Sequence, residues 1–152
     1  MDLDETDRRL LAALQKDARM SNAQLSERVN LSPSACHRRV QRLEKEGWIR
    51  DYVALVNPRK VGLPTTVFVE ITLSGQADEV LDAFERAVAR VPDVLECHLM
   101  AGTADYILKL VAEDTEDFAR IHRQYLTRLP GVTQMQSSFA LRTVFKTTAL
   151  PV

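Results

Sequence analysis

The sequence holds few residues of the kinds that build disulfide or metal scaffolds. Among 152 residues there are 2 cysteines, Cys36 and Cys97, and they belong neither to a Cys-x-x-Cys pair nor to a His/Cys set at metal-ligand spacing. We therefore expect two reduced, packed thiols and no metal site. A redox or metal role for these thiols is the alternative.

A long hydrophobic run is also absent. No stretch approaches the roughly 18 apolar residues that cross a bilayer, and the chain opens on acidic residues where a secretory signal would be basic and then apolar. The sequence thus predicts a cytoplasmic protein that does not contact membranes. With 45% hydrophobic and 27% charged residues it has enough apolar material for a packed core.

An excess of positive charge is missing as well. The formal net charge is -1, which argues against indiscriminate binding to nucleic acid. Any interaction with DNA must therefore depend on a local surface.

Catalytic patterns are equally absent. His37, His98 and His122 fall on three different predicted elements, and the sequence contains no Gly-x-Ser-x-Gly, phosphate-loop or zinc-helix pattern. We expect no catalytic residues and no cofactor, and therefore no enzyme.

The first third of the chain carries the signals of three helices. A first helix over 5–17 has apolar residues at helical spacing, and Ser21 with Gln24 forms a capping box for a second helix that ends near Val29. Ser32 and Pro33 are an N-cap and a first-turn proline for a third. Gly47 ends that helix, and 48–56 is rich in strand-forming residues. This order predicts a winged helix-turn-helix.

The third helix has one apolar side and one polar side. At about 100° per residue, Cys36, Val40 and Leu43 group together. Arg and Gln side chains can pair with base edges in the major groove, while Lys neutralises phosphates. A merely solvated charged face is the alternative, but the helix-turn-helix context favours DNA. The candidate DNA-binding residues are Ser32, Ser34, His37, Arg38, Gln41, Arg42 and Lys45.

Two prolines and a glycine in 57–65 predict a linker between an N-terminal domain, 1–56, and a C-terminal domain, 66–152. The C-terminal domain alternates in the order strand, helix, strand, strand, helix, strand, a split βαβ repeat typical of a ferredoxin-like sandwich. The fold class is thus α+β. The predicted elements are a strand at 66–73, a helix from Asp78 to Val91, strands at 94–100 and 106–111, a helix capped by Thr115, and a strand at 132–143.

Two helices cover only one face of a four-stranded sheet, which leaves the other face open. We expect Phe68, Leu99 or Phe139 on that face, and an exposed apolar face favours a homodimer. A two-fold dimer would also place two recognition helices in successive major grooves of double-stranded DNA.

The chain resembles the leucine-responsive/asparagine-related (Lrp/AsnC, feast/famine) transcription regulators over nearly its whole length. The resemblance lies in residues 4–11 (DETDRRLL), 25–29 (LSERV), 31–34 (LSPS), 42–49 (RLEKEGWI), 68–73 (FVEITL), 96–99 (ECHL), Gly102 with Asp105 and Tyr106, and 129–132 (LPGV).

This resemblance implies an amino-acid-responsive regulator whose dimers often assemble into octamers, with the effector bound where dimers meet. Asp105 would accept the ammonium, and the Gly102 turn or a Ser hydroxyl would bind the carboxylate. A turn role for Asp105 and ordinary strand roles for the serines are the alternatives. Leucine or another amino acid is the expected effector. By position, the effector residues would be Met100, Gly102, Thr103, Asp105, Tyr106, Gln136, Ser137, Ser138 and Phe139.

Two other functions remain open from the sequence. One is an architectural protein that binds DNA without answering a ligand. The other is a metabolite-binding module or enzyme on a ferredoxin-like dimer, since fold does not fix function.

Overall fold

A computed structural model describes residues 2–152, which divide into two compact units. The helical unit comprises the described residues up to Leu55 together with Val144–Val152, and the sheet unit comprises Val56–Thr143. The segment 144–152, which the sequence analysis placed in the C-terminal domain, therefore has its contacts in the helical unit.

The helical unit contains the three expected helices. They are α1 (Glu5–Lys16), α2 (Asn22–Arg28) and α3 (Pro33–Lys45). Both Asp4 with Asp7 and Ser21 with Gln24 form capping boxes, and Ser32 Oγ accepts the N–H of Ala35 at 3.2 Å. These side chains satisfy backbone donors that a helix start leaves unpaired, which is why each helix begins where it does.

The core of this unit is the apolar face that the three helices share. Asn30, at φ 55°, supplies the left-handed residue that turns the chain from α2 toward α3. The buried residues are Leu10, Leu11, Ala13, Leu14, Leu25, Val29, Cys36 and Leu43.

The stretch 48–56 forms no strand, and the prediction of one was wrong. Gly47, at φ 80°, ends α3, and Ile49 N–H donates to Leu43 O at 3.1 Å to close the helix end. Beyond it the backbone is irregular, and Val53 and Leu55 are exposed. A β-strand needs a neighbour for its N–H and C=O groups, and within residues 2–152 no strand pairs with this stretch.

The sheet unit has the predicted βαββαβ order and confirms the ferredoxin-like α+β prediction. Its elements are β1 (Thr65–Leu73), α4 (Asp78–Val88), β2 (Val94–Leu99), β3 (Tyr106–Ala112), α5 (Thr115–Gln124), a 3-10 turn (Leu126–Arg128) and β4 (Val132–Phe139). The four strands are antiparallel in the order β2-β3-β1-β4.

Several boundaries in this unit differ from prediction, and α4 ends at Val88, three residues before the predicted Val91. Asp114, and not Thr115, caps α5, because its carboxylate accepts the N–H of Asp117 at 2.7 Å. The last strand ends at Phe139 and not near 143. Its neighbour β1 begins at Thr65, so the Ala140 N–H to Thr66 O bond at 3.0 Å is the last one available along that edge.

The helices cover one face of the sheet and bury its core. Alternate residues of β1 and β3 point into this layer, as the period of two requires. The core residues are Val67, Val69, Ile71, Leu73, Phe84, Val88, Val91, Tyr106, Leu108, Leu110, Ala112, Phe118, Ile121, Leu126 and Leu129.

The opposite, open face is less apolar than predicted. Leu99 pairs with Tyr106 and Phe139 with Val67, and directly paired residues share a face, so both lie on the helix side. The Phe139 ring also stands edge-on to Phe118 at 5.2 Å. Of the three residues expected on the open face, Phe68 alone lies there, with 38% of its surface exposed.

Both cysteines are free thiols, as expected, but only Cys36 is buried, and the prediction that Cys97 is packed was wrong because it lies at the surface. Desolvation, and then the Glu85 carboxylate, raises the pKa of Cys97 to about 11, which keeps the thiol protonated at neutral pH. In residues 2–152 no group of three or more His, Cys, Asp or Glu side chains is arranged to hold a metal. No helix described here has the length and apolar character to cross a membrane.

Candidate DNA interface and effector region

Helix α3 separates its side chains as the sequence predicted. Cys36 and Leu43 are fully buried against α1 and α2. The polar side faces outward, and its exposed residues include Ser34, His37, Arg38, Gln41 and Lys45. Glu44 is exposed beside His37 and accepts the Tyr52 hydroxyl at 2.8 Å, so the donors and positive charge are bordered by one carboxylate.

Ser32 serves the helix itself. Its hydroxyl accepts the N–H of Ala35 and lies 3.4 Å from the hydroxyl of Ser34. The residue is exposed at the N-terminus of α3, where the unpaired N–H groups and the helix dipole favour an anion. Ser32 therefore caps α3 at the same end of the helix where an anion would be favoured.

Arg42 is held inside the helical unit. Its Nη2 forms an ion pair with Asp7, a carboxylate with 2% of its side chain exposed. Arg39 Nη1 donates to the same carboxylate at 3.0 Å and to Asp4 at 2.6 Å. The Nε–H of Arg42 is buried and has no hydrogen-bond partner among the described residues. We call Asp4, Asp7, Arg39 and Arg42 the α1–α3 ion-pair cluster.

This cluster fixes the rotation of α3 about its own axis. The hydrogen bond that Asp4 accepts from Arg39, followed by the one from the N–H of Asp7, lowers the pKa of Asp4. The ionised form of the Asp4 carboxylate is therefore favoured. The cluster was not predicted from the sequence. Its signal there is two carboxylates three residues apart at the start of α1 and two arginines three residues apart on α3.

Asp105 lies where the loop 100–105 meets the end of β1. Its Oδ2 accepts the N–H of Leu73 at 2.7 Å and its Oδ1 accepts from Gln76 at 3.0 Å. These two bonds, with the Leu73 N–H as the larger cause, lower the pKa of Asp105. The ionised carboxylate is oriented by these two donors, and its bonds attach the loop to the end of β1.

The remaining loop residues are at the surface. Met100, Gly102 and Thr103 are exposed, and Met100 N–H donates to Asp105 O at 2.8 Å to close the loop. Asp105 N–H donates in turn to Ile71 O at 2.9 Å. The loop is therefore a tight cap on the β2–β3 hairpin with an accessible outer surface.

The other predicted effector residues divide between the two faces of the sheet. Tyr106 is 1% exposed and donates its hydroxyl to Glu85 at 2.6 Å on the helix side; burial, and then Glu85, raises its pKa. Ser137 pairs with buried Val69, so it lies on the helix side with Phe139. Gln136 and Ser138 occupy the alternate positions and lie on the open face.

The loop and the end of β4 are not neighbours within one chain. Ser138 pairs with Phe68, three residues along β1 from the Ile71 that bonds Asp105, a separation of about 10 Å along the strand. β4 also lies across β1 from β3. Gln136, in contrast, pairs with Glu70, the residue next to Ile71.

A groove that the sequence did not reveal runs between α4 and β2. It encloses about 380 Å³ and includes Tyr106 from the predicted effector set. Its lining comprises Glu85, Val88, Ala89, Val94, Leu95, Glu96, Cys97, Leu99 and Tyr106. The lining residues all lie within 85–106, but the groove arises from the packing of α4 against the edge strand β2, which no residue pattern states.

Comparison with protein families assigns both units. A profile described as winged helix-turn-helix DNA-binding matches residues 3–50, and one described as Lrp/AsnC ligand binding domain matches residues 66–150. The chain belongs to the Lrp/AsnC family. The resemblance inferred from the sequence is thereby confirmed.

Lrp/AsnC relatives match this chain from end to end. The leucine-responsive regulatory proteins of Escherichia coli K12 and Salmonella typhimurium LT2 are each 42% identical to it over 151 residues, covering 99% of this chain and 92% of theirs. At this identity and coverage the relation extends over both units.

Solved Lrp/AsnC structures share the fold. A transcriptional regulator of Neisseria meningitidis in complex with L-Met has a TM-score of 0.93 at 38% identity, covering 99% of this chain and 97% of its own. An AsnC family regulator of Agrobacterium tumefaciens has a TM-score of 0.94 at 35% identity, covering 98% and 97%. Escherichia coli AsnC, at 20% identity, has the same fold with a TM-score of 0.90 over 97% of this chain and 98% of its own.

The chain is accordingly a DNA-binding transcription regulator with a small-molecule-binding domain. The Lrp/AsnC relatives are regulators, and the prediction that the chain is not an enzyme is confirmed by this kinship. The alternative of a metabolic enzyme on a ferredoxin-like dimer is set aside.

Proposed function

We propose that this regulator binds double-stranded DNA as a homodimer through α3 of each copy, and that an amino acid bound to the sheet unit changes that binding. The observation that carries the proposal is α3 itself. One side of the helix is buried, the ion-pair cluster fixes its rotation, and the outward side presents Arg38, Gln41 and Lys45.

The exposed residues of α3 have different roles in this proposal. Arg38 and Gln41 project from the middle of the helix, where bidentate pairing with guanine or adenine edges gives sequence preference. Lys45 and His37 contact phosphates, and Ser32 and Ser34 place the helix N-terminus against the backbone. Arg42 is paired with Asp7, so its contribution is to hold α3 at the angle at which its neighbours reach the groove.

The open face of the sheet supports the dimer. Phe68 is exposed at its centre, and Ile107 and Val111 lie on the same side of β3. Lys109, the cross-strand partner of Phe68, forms an ion pair with Glu96 at 3.4 Å on this face, so a second copy would meet both apolar and charged groups there. A two-fold pair of recognition helices about 34 Å apart would read a pseudo-palindrome.

The proposed effector is a free amino acid bound between copies of the sheet unit, with dimers assembling further into octamers. The Neisseria meningitidis relative in complex with L-Met supports this ligand class. The separation of the loop 100–105 from Ser138 within one chain supports a site shared between chains. Asp105 would accept an ammonium beside its bonds to Leu73 and Gln76.

Selection from a pool of random duplexes tests the DNA part of this proposal. We expect the full-length protein to enrich an inverted repeat whose half-sites lie about one helical turn apart. Arg38→Ala should enrich a weaker consensus with one position relaxed in each half-site. Enrichment of no motif by the unmodified protein would contradict the proposal, and a single, non-repeated site would contradict its two-fold symmetry.

A further inference from the structure

The helical unit is joined to the sheet unit at two points of the chain. The first is the passage from Leu55 to Val56, and the second is the passage from Thr143 to Val144. Residues 144–152, which we call the tail segment, leave the sheet unit and make their contacts in the helical unit. A change in the sheet unit can therefore reach the helical unit along two covalent routes.

Gln15 on α1 holds the tail segment by its backbone. Leu150 N–H donates to Gln15 Oε1 at 2.6 Å, and Gln15 Nε2 donates to Leu150 O at 3.0 Å. A glutamine amide carries one acceptor and two donors, so it satisfies the N–H and C=O of one residue at once, as a neighbouring strand would. The residue pair lies 135 positions apart in the sequence.

The side chains of the tail segment contribute little to this contact. Leu150 is 70% exposed and Phe145 is 83% exposed. The segment forms neither helix nor strand, and Ala149 N–H bonds locally to Thr147 Oγ1 at 3.1 Å. Two hydrogen bonds in contact with water give only a small net stabilisation. The contact is thus specific in geometry and weak enough to be released.

We infer that the surface of α1 at Gln15 is a docking site for the tail segment, and that this docking makes the segment a second tether through which the sheet unit acts on the DNA-binding unit. The inference rests on the proposed function for its effector. The linker 57–65 is irregular and contains Pro58 and Pro64, whereas the docked tail fixes the other covalent route to a residue of α1.

Hydrogen exchange of the full-length, effector-free protein tests the docking. Gln15→Ala removes the side-chain amide that bonds both the N–H and the C=O of Leu150. Leu150→Pro removes the N–H that donates to Gln15 and leaves α1 unchanged. Leu150→Ala loses the side chain but keeps both backbone groups, so it is the matched control. We expect the tail amides, Ala149 among them, to exchange about tenfold faster in the first two variants and unchanged in the control. Unchanged exchange in both Gln15→Ala and Leu150→Pro would overturn the docking.

DNA affinity measured with and without a mixture of amino acids tests the tether. In the unmodified protein and in Leu150→Ala we expect the same ratio between the two affinities. In Gln15→Ala and Leu150→Pro we expect the ratio of the two DNA affinities to be at least about threefold closer to one. The affinity of these variants for amino acids, measured without DNA, should stay unchanged. An unchanged ratio in both variants would overturn the tether. A ratio of one in the unmodified protein would refute the proposed effector response, and the exchange data would still decide the docking.

Discussion

Single side chains on α3 divide into those that hold the helix and those that face outward. Arg39 and Arg42 point to the carboxylates of Asp4 and Asp7, and the two pairs with Asp7 are shielded because Asp7 is buried. Arg38 and Gln41 are exposed. Adjacent arginines of α3 therefore differ in role: Arg39 and Arg42 bind carboxylates of the same unit, whereas Arg38 is exposed to solvent. A count of basic residues does not distinguish them.

Truncation of the outward residues should separate base contacts from phosphate contacts. Arg38→Ala or Gln41→Ala should cost about 1 to 3 kcal/mol on the preferred site and little on random DNA, because a bidentate base contact is lost. Lys45→Ala should weaken binding to both alike. Titration of each variant on the two duplexes at one salt concentration measures this.

The matched control for these variants is Arg8→Ala, which removes one positive charge from an exposed position of α1. We expect it to leave the preference for the specific site unchanged. Equal losses on specific and random DNA for Arg38→Ala, Gln41→Ala and Lys45→Ala would refute the assignment of α3 as the reading helix.

Asp105 should make the stability of the sheet unit depend on pH. The Leu73 N–H and Gln76 lower its pKa in the folded state, so the folded chain favours the carboxylate more than the unfolded chain does. The resulting stabilisation is present above the unfolded value of about 3.9 and is lost as pH falls through the lower folded pKa. Asp105→Asn should therefore flatten the fall in urea midpoint between about pH 5 and about pH 2.5.

Asp82→Asn is the control for this measurement, because Asp82 is an exposed carboxylate on α4 that makes none of the contacts of Asp105. It should follow the pH profile of the unmodified protein. If the urea midpoint of Asp105→Asn fell with pH as steeply as that of the unmodified protein, the two hydrogen bonds of Asp105 would not be the cause of the loss of stability at acid pH.

At the scale of elements, the helices and their starts follow from local signals. Capping boxes and a Ser-Pro start act within four residues, so they could be seen in the sequence and are present in the structure. Strands depend on distant partners. The stretch 48–56 has strand-forming residues but no neighbour, and β4 ends where β1 no longer lies alongside.

The facing of strand residues was harder to predict for the same reason. A register shift between Val94 and Glu96 in β2 changes which residues turn toward the helices, and a slip of one position reverses the face. Leu99 was expected on the open face and lies on the helix side. In the effector region, the partners of Asp105 lie 32 and 29 positions away, beyond any local motif.

The start of α3 should show capping and DNA contact as separable effects. Ser32→Ala removes the oxygen that accepts the Ala35 N–H and should lower the free energy of unfolding by about 1 kcal/mol. Ser32→Asp should restore stability, because a carboxylate caps well at a helix N-terminus.

Ser32→Asp should nevertheless bind DNA more weakly than Ser32→Ala, because its charge faces the phosphates. Chemical denaturation and DNA titration of the two variants measure both effects, and DNA binding by Ser32→Asp equal to that of the unmodified protein would place this helix end away from the backbone.

For the whole molecule, we propose that the open face of the sheet governs assembly into a dimer. Phe68 is its exposed aromatic residue, and burial of such a side chain against a second copy favours association. Phe68→Asp should shift sedimentation at micromolar concentration toward the monomer. Leu99→Asp is the control, since Leu99 is also exposed but pairs with Tyr106 on the helix side of the sheet. A stable dimer in Phe68→Asp, or a monomer in the unmodified protein, would contradict this interface.

The central claim is that α3 reads a DNA sequence under the control of an amino acid bound to the sheet unit. The most direct test is fluorescence anisotropy at one fixed salt concentration, with DNA from upstream of the protein's own gene and a scrambled duplex, each with and without a mixture of amino acids. We predict tighter binding to the upstream DNA and a change of about 5-fold to 150-fold on adding the mixture. Equal affinity for the two duplexes in both conditions would contradict the claim, and a preference that no amino acid alters would leave an architectural or constitutive DNA-binding protein.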